Sequence, residues 1–234
     1  MKTVDIVIPV YNEERDLPRC LARLVPFLEA NVSHSWRVTI ADNGSTDATL
    51  KVAESLAQQD SRLGFIHLDQ KGRGRALRRA WLESTADIVS YMDVDLSTDL
   101  AAFPALLAAL DEGYDIAIGS RWARGAQVRR SFRRAASSRC YSLLMRGMHF
   151  TTFADAQCGF KALTSRAARA LVPLTQNLYW FFDTELLLLA QRKGYRIKEI
   201  PVTWLEDADS RVRLGSYGWE CFKGLVRMRF QRLP

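Results

Sequence analysis

Four short apolar runs constrain this chain more than any other feature. Val4 to Val10, Trp36 to Ala41, Leu63 to Leu68 and Ile88 to Met92 are of strand length, and segments of helical spacing separate them. Runs that are apolar throughout, rather than at every second residue, belong to strands covered on both faces, and helices between them make the sheet parallel. Leu17, Leu21, Leu24 and Leu28 define a helix over Asp16 to Glu29. Asn43-Gly44-Ser45-Thr46-Asp47 forms a tight turn and cap ahead of a helix reaching about Gln59, and Arg75 to Glu83 forms another. Further on, a strand is expected over Asp115 to Ile118 and a helical segment carries Arg133, Arg134, Ser138 and Arg139. A loop and short strand run from Asp155 to Thr164. Tyr179 to Glu185 opens a helix that Gly194 ends, with Asp183 at the N-cap, and a strand spans Tyr195 to Trp204. The expected class is α/β, a mostly parallel central sheet with helices on both faces, in one large domain of ordinary composition, 48% hydrophobic and 25% charged over 234 residues.

In such sheets ligands bind beyond the carboxyl ends of the strands. Those ends carry Asn12 and Glu13, Asp42, Lys71 and Arg73, and Asp93 and Asp95. Acids from three separate strand ends would therefore meet at one edge beside a basic loop. Alternate residues on an extended chain point to the same side, so Asp93 and Asp95 are expected to converge on one cation. Carboxylate oxygens suit Mg²⁺ or Mn²⁺, which completes its shell with water and substrate phosphates. For Lys71 and Arg73 a mobile surface loop is the competing reading.

The net charge of +7 is concentrated in one place. Between Ile116 and Ala154 there is no Asp or Glu, but eight arginines occur, at 121, 124, 129, 130, 133, 134, 139 and 146, so the rest of the chain sums to −1. Such a block fits phosphate groups, nucleic acid or an acidic membrane surface, or is a solvated basic face. Arg134 and Ser138 are four apart and share a helical face, where a guanidinium and a hydroxyl form a phosphate clamp.

Taken together, Ile8-Pro9-Val10-Tyr11-Asn12-Glu13-Glu14, Asp42-Asn43-Gly44-Ser45-Thr46-Asp47, Asp93-Val94-Asp95 and Gly119-Ser120-Arg121 resemble the inverting glycosyltransferases of family 2, with the Rossmann-like GT-A fold. Gln157-Cys158-Gly159-Phe160-Lys161 and Ile200-Pro201-Val202-Thr203-Trp204 are similar to the polyprenyl-phosphate (dolichyl-phosphate) glucosyltransferases and mannosyltransferases of that family. The resemblance implies that Pro9, Tyr11, Glu13 and Asp42 surround the nucleoside, Asp93 lies near the ribose and diphosphate, and Asp95 holds the metal. It implies lipid-phosphate contacts for Arg121, Arg134 and Ser138 and places Gln157 near the sugar. Lys71 adds charge toward the diphosphate. Asp183 and Glu185 orient sugar hydroxyls, so that Asp95, Arg121 and Asp183 are the expected catalytic group. Ser210-Arg211 matches the Ser-Lys pair of the mannosyltransferases, with Arg211 on the diphosphate, but the basic residue that precedes it there is replaced by Glu206-Asp207. This favours UDP-glucose over GDP-mannose as donor.

Tyr217 to Leu233 sets Trp219, Phe222, Val226, Phe230 and Leu233 on one helical face beside Lys223, Arg227, Arg229 and Arg232. That pattern suits a membrane interface, or a terminal helix docked on the core. The chain thus divides into a catalytic unit, 1–214, and a basic amphipathic segment, 215–234. Arg124, Arg129, Arg130 and Arg146 face either anionic lipid head groups or solvent. Cys20, Cys140, Cys158 and Cys221 form no Cys-x-x-Cys pair and fit a reduced compartment, no signal peptide precedes the first strand, and no apolar run is of membrane-spanning length. The expectation is a cytoplasmic enzyme, peripheral to the cytoplasmic face of a membrane, with a polyprenyl phosphate acceptor and no nucleic-acid partner. A family member using a non-lipid acceptor is the alternative, and a nucleic-acid-binding protein a remote one.

Overall fold

The computed structural model describes residues 1–205 and 214–231. The elements are β1 (Thr3–Val10), α1 (Asp16–Asn31), β2 (Ser35–Asp42), α2 (Thr49–Gln59), β3 (Leu63–His67), α3 (Arg73–Glu83), β4 (Ile88–Met92), α4 (Phe103–Asp111) and β5 (Ile116–Ser120). Then follow β6 (Gln127–Arg129), α5 (Phe132–His149), β7 (Phe160–Thr164), α6 (Ser165–Leu171), α7 (Phe182–Arg192), β8 (Ile197–Pro201), β9 (Thr203–Leu205) and α8 (Leu214–Phe230). Seven strands form one sheet in the order β3-β2-β1-β4-β7-β5-β8. Only β7 runs against its neighbours, β4 and β5.

Strands β1 and β4 are buried on both faces, as their composition requires, whereas β3, at the sheet edge, is partly open. Val4, Ile6, Ile8 and Val10 of β1 pack with Leu17, Leu21 and Leu24 of α1 and Leu106 and Leu110 of α4. Val7, pointing the other way, joins Leu77 and Trp81 of α3 and Leu186 of α7. Each fully buried side chain of this size contributes about 1.5–3 kcal/mol relative to exposure. The chain moves outward from β1 to β2 and β3, then returns to place β4 on the other side of β1. That reversal opens a crevice at the carboxyl ends of β1 and β4, where Asn12 and Asp93 lie.

Two expectations are corrected here. The predicted strand over Tyr195 to Trp204 is two strands: β8 ends at Pro201, and after Val202 the chain leaves the main sheet so that β9 pairs with β6, Gln127 opposite Thr203 and Arg129 opposite Leu205. Proline has no N–H to extend the ladder, and β6 lies inside the arginine block, where no apolar pattern announces it. The C-terminal helix, in turn, is two-sided. Cys221, Leu225 and Met228 are buried in the core, while Trp219, Phe222 and Phe230 stay exposed on the other side. The docked reading therefore holds for the inner face, and the outer face keeps its aromatics open to solvent; Arg232 and Leu233 lie outside the described residues.

Candidate active site

The loops after β1 and β2 are knitted together. Asn12, in the left-handed region at φ 57°, accepts from the Thr46 N–H at 2.8 Å and donates its own N–H to Ser45 Oγ at 2.9 Å. The Glu13 N–H donates to Thr49 Oγ1 at 2.8 Å and the Ala48 N–H to Glu14 at 3.0 Å. Asn43 Oδ1 accepts from the Gly72 N–H at 2.6 Å, bringing in the loop after β3. The motifs thus form one rim around the carboxyl end of β1. On it, Lys71 Nζ stands 3.6 Å from the centre of the Tyr11 ring, a cation–π contact. Pro9 lies half-buried in β1, in register with Ala41, and Glu13 is half-buried at the rim. Asp42 is fully buried, with His67 Nδ1 2.6 Å from Oδ2 and the Ser45 N–H 3.3 Å from Oδ1. It shapes the rim from below and presents His67 to the open side.

Asp93 and Asp95 do not sit on an extended chain. The strand stops at Met92, and the Leu96 N–H returns to the Asp93 carbonyl at 3.1 Å, a turn with Val94 and Asp95 at its centre. Leu96 pays for that turn with φ 48°, an unfavourable region for a leucine. Asp95 is exposed, one oxygen accepting from the Ser97 N–H at 2.8 Å. Asp93 is set deeper: Arg73 Nη2 lies 2.7 Å from Oδ1, and the carboxylate rests on Gly159, where an added Cβ would stand 1.7 Å from Oδ2. Surrounding protein, reinforced by the charges of Asp95 and Asp183 and opposed by Arg73, pushes the Asp93 pKa up to about 6, although the side chain keeps 40% of its surface open. The Asp95 charge disfavours a second negative charge on Asp93, and a cation between them would relieve that repulsion.

Beneath Asp93 lies a layer whose pairing the sequence motifs do not announce. Lys161, wholly buried, donates to the Cys158 carbonyl at 2.5 Å and to Tyr91 Oη at 3.1 Å and pairs with Asp183 at 2.9 Å. The Tyr91 hydroxyl also donates to Asp183. Asp183 is therefore not the cap of α7, a place Phe181 takes, and it does not line an open sugar wall: burial beside a lysine occupies it. Glu185 is likewise buried and bound to Arg227 and to the Asn177 N–H. A lysine inside the apolar run Phe160 to Leu163 was the available signal for this network. A buried cation needs a buried anion.

On the far side of the crevice, Arg121 meets Asp155 through Nε at 2.7 Å, Nη2 at 2.8 Å and its own N–H at 2.9 Å. Asp155 is buried, yet that guanidinium overcomes the burial and holds its carboxyl below the ordinary value. Arg121, expected to contact the lipid phosphate, here directs its fork inward to Asp155 in a two-pronged buried ion pair. Arg134 and Ser138 do share a face of α5, both half-buried. Arg130 stands between Trp122 and Trp204, 5.3 and 5.8 Å from their ring centres, and Arg139 is 4.9 Å from Trp122. Gln157 turns toward α8, its Nε2 3.7 Å from Cys221 Sγ. Arg211, with Ser210, lies outside the described residues.

No three His, Cys, Asp or Glu side chains gather into a metal cluster among the described residues. Two carboxylates, one of them exposed, are instead the donor set of a hard divalent cation that takes water and phosphate oxygens as its remaining ligands. The donor chemistry of Asp95 with Asp93 fits Mg²⁺ or Mn²⁺.

The family model for glycosyl transferase family 2 matches residues 5–171. The chain is 37% identical over 214 residues to the glycosyltransferase AglD of Haloferax volcanii, covering 90% of this chain and 34% of that protein. It is 30% identical over 244 residues to the dolichyl-phosphate beta-glucosyltransferase of Dictyostelium discoideum, covering 98% of this chain and 75% of that one. The chain thus spans about a third of the archaeal relative's length and three quarters of the other's. Among solved structures, glucosyl-3-phosphoglycerate synthase from Mycobacterium tuberculosis in complex with Mn²⁺, uridine diphosphate and phosphoglyceric acid superposes with a TM-score of 0.72 at 18% identity, over 99% of this chain and 80% of that one. That likeness identifies the fold as GT-A. With the family model spanning most of the chain and its motifs assembled at one edge of the sheet, the protein belongs to glycosyl transferase family 2 and is a glycosyltransferase.

Proposed function

We propose that this enzyme transfers glucose, with inversion, from UDP-glucose to the phosphate of a polyprenyl or dolichyl carrier. The observation that carries the reading is that Asp93 and Asp95 stand at the same sheet edge as the buried Asp42–His67 pair, with the arginine-rich α5 across the crevice. The names of the dolichyl-phosphate relatives support the acceptor and the sugar; GDP-mannose is the next donor. Tyr11, Glu13, Pro9 and the Asp42–His67 pair receive the nucleoside, and Lys71 leaves the Tyr11 ring to approach the diphosphate. A divalent cation on Asp95 and Asp93 supplies charge neutralisation at the departing nucleoside diphosphate, joined by Arg211. Arg134 and Ser138 hold the acceptor phosphate, with Arg121 behind them fixing the Ser120 to Trp122 turn against Asp155. We assign Gln157 to the wall between donor and acceptor.

A phosphate monoester has a second pKa of about 6 and is largely dianionic at pH 7. Its oxygen is already a nucleophile, so positioning and charge stabilisation account for the rate and no general base is required. Among the described residues no helix is long and apolar enough to cross a membrane. We place membrane contact on the exposed face of α8 and on the exposed arginines of α5, at a cytoplasmic surface, with 1–214 as the catalytic unit and 215–234 as the basic segment. The test is a contrast of two variants. Asp95→Ala abolishes transfer, while Arg134→Ala raises the acceptor KM and leaves donor hydrolysis intact; Arg134→Ala with transfer as good as wild type would contradict the assignment.

A further inference from the structure

Asp93 is held between two walls, and both are fastened from below by the same pair of residues. One wall is the Cys158–Gly159 backbone: the Asp93 carboxylate lies on the Gly159 Cα, and the Asp93 N–H reaches the Gly159 carbonyl at 3.3 Å. The other is Arg73, whose guanidinium stands 2.7 Å from Asp93 Oδ1 and 5.0 Å from the centre of the Tyr91 ring. Lys161 ties down the first wall through the Cys158 carbonyl at 2.5 Å and the second through Tyr91 Oη at 3.1 Å. Asp183 balances the lysine at 2.9 Å and accepts from the Tyr91 hydroxyl, which also lies 3.5 Å from the Cys158 carbonyl. Neither Lys161 nor Asp183 is exposed, so neither touches a substrate bound in the crevice.

A purely structural ion pair of this kind has no need of a tyrosine hydroxyl lodged between a lysine and an aspartate. Nor does it need to grip the one peptide that carries the Asp93 seat. Buried ion pairs add little stability over well-packed apolar replacements, whereas they do fix geometry. We propose that Lys161 and Asp183 are positioning residues for donor binding, acting through Tyr91 and the Gly159 backbone on the Asp93 carboxylate. The inference rests on the nucleotide-sugar reading of the crevice.

The experiment measures binding of UDP with Mn²⁺ by titration calorimetry, beside urea unfolding, in the full chain. Lys161→Met alone leaves Asp183 uncompensated, and its unfolding midpoint falls. The double variant Lys161→Met/Asp183→Leu removes both charges and recovers the midpoint, yet its UDP affinity stays about tenfold or more below wild type, the scale at which misplaced site groups are felt. Tyr91→Phe, which removes only the shared hydroxyl and keeps the ring, costs about three- to tenfold in UDP affinity, the worth of one hydrogen bond. In both variants the acceptor KM is unchanged. Wild-type UDP affinity in the double variant or, if that variant does not fold, in Tyr91→Phe would overturn the inference and leave the pair a structural one. A wild-type chain that binds no nucleoside diphosphate would instead overturn the donor reading beneath it.

Discussion

The Asp93 carboxylate occupies the space in which a side chain on Gly159 would begin, 1.7 Å from the position of its Cβ. A glycine is required there for close approach and not for backbone conformation, since its φ is not positive. Gly159→Ala is expected to expel Asp93 from its seat and break its bond to Arg73. Transfer should fall by about two orders of magnitude, as for a site group displaced by an ångström, with stability reduced by about 1–3 kcal/mol from overpacking. Kinetics and denaturant unfolding of the one variant check both parts.

The Arg121–Asp155 pair makes a prediction about acid. Arg121 keeps the Asp155 carboxyl below its ordinary value of 3.8 against the opposing effect of burial. A depressed folded pKa means that the pair's contribution is fully present above the unfolded value and is lost as pH falls through the folded one. Arg121→Met should therefore lower stability at pH 7 by about 3–5 kcal/mol, the usual result of stranding a buried charge. The gap between variant and wild type should narrow below pH 4. Urea midpoints measured from pH 7 to pH 3 decide it; a gap of constant size would mean that Asp155 is not the partner.

Trp219 and Phe230 on α8 are 59% and 81% exposed and are not part of the core. Replacing both by serine should change unfolding by no more than about 0.5 kcal/mol per site. Binding to vesicles rich in anionic phospholipid should weaken by about tenfold or more, because each aromatic contributes apolar area to an interfacial helix. Sedimentation with vesicles measures it, and undiminished binding would move the contact away from α8.

Arg73 bridges Asp93 to the rings of Tyr91 and Trp180, 5.0 and 4.9 Å from their centres. Arg73→Lys keeps the charge but not the planar contact. It is expected to raise the donor KM about tenfold with the acceptor KM unaffected, as seen in initial-rate measurements with each substrate varied in turn.

The strands, the helices around them and the acids at their ends were legible because each is written locally. Val4 to Val10 is apolar but for Asp5 whatever it pairs with, Asp42 closes β2 and Asp93 follows β4 directly. What was not legible depends on partners distant in the chain. Arg121 looks like one arginine in a block of eight until the fold brings Asp155, 34 residues on, against it. Asp183 has the local setting of a cap, and only Tyr91, 92 residues away, shows that it points inward. The Asp93–Asp95 alternation failed for a local reason: the strand ends one residue too early for it to apply. The outer stripe of α8 was readable from periodicity; cysteine, leucine and methionine at 221, 225 and 228 have the same helical spacing, and only packing against the core shows which face is buried.

Glucose transfer to a lipid phosphate is measured by incubating the purified protein with Mn²⁺, a short polyprenyl phosphate and radiolabelled donor, then counting label extracted into organic solvent. UDP-glucose should give labelled lipid, and GDP-mannose little or none. Label from GDP-mannose alone would contradict the sugar assignment, and no lipid product from either donor, with the protein folded and nucleotide bound, would contradict the lipid acceptor.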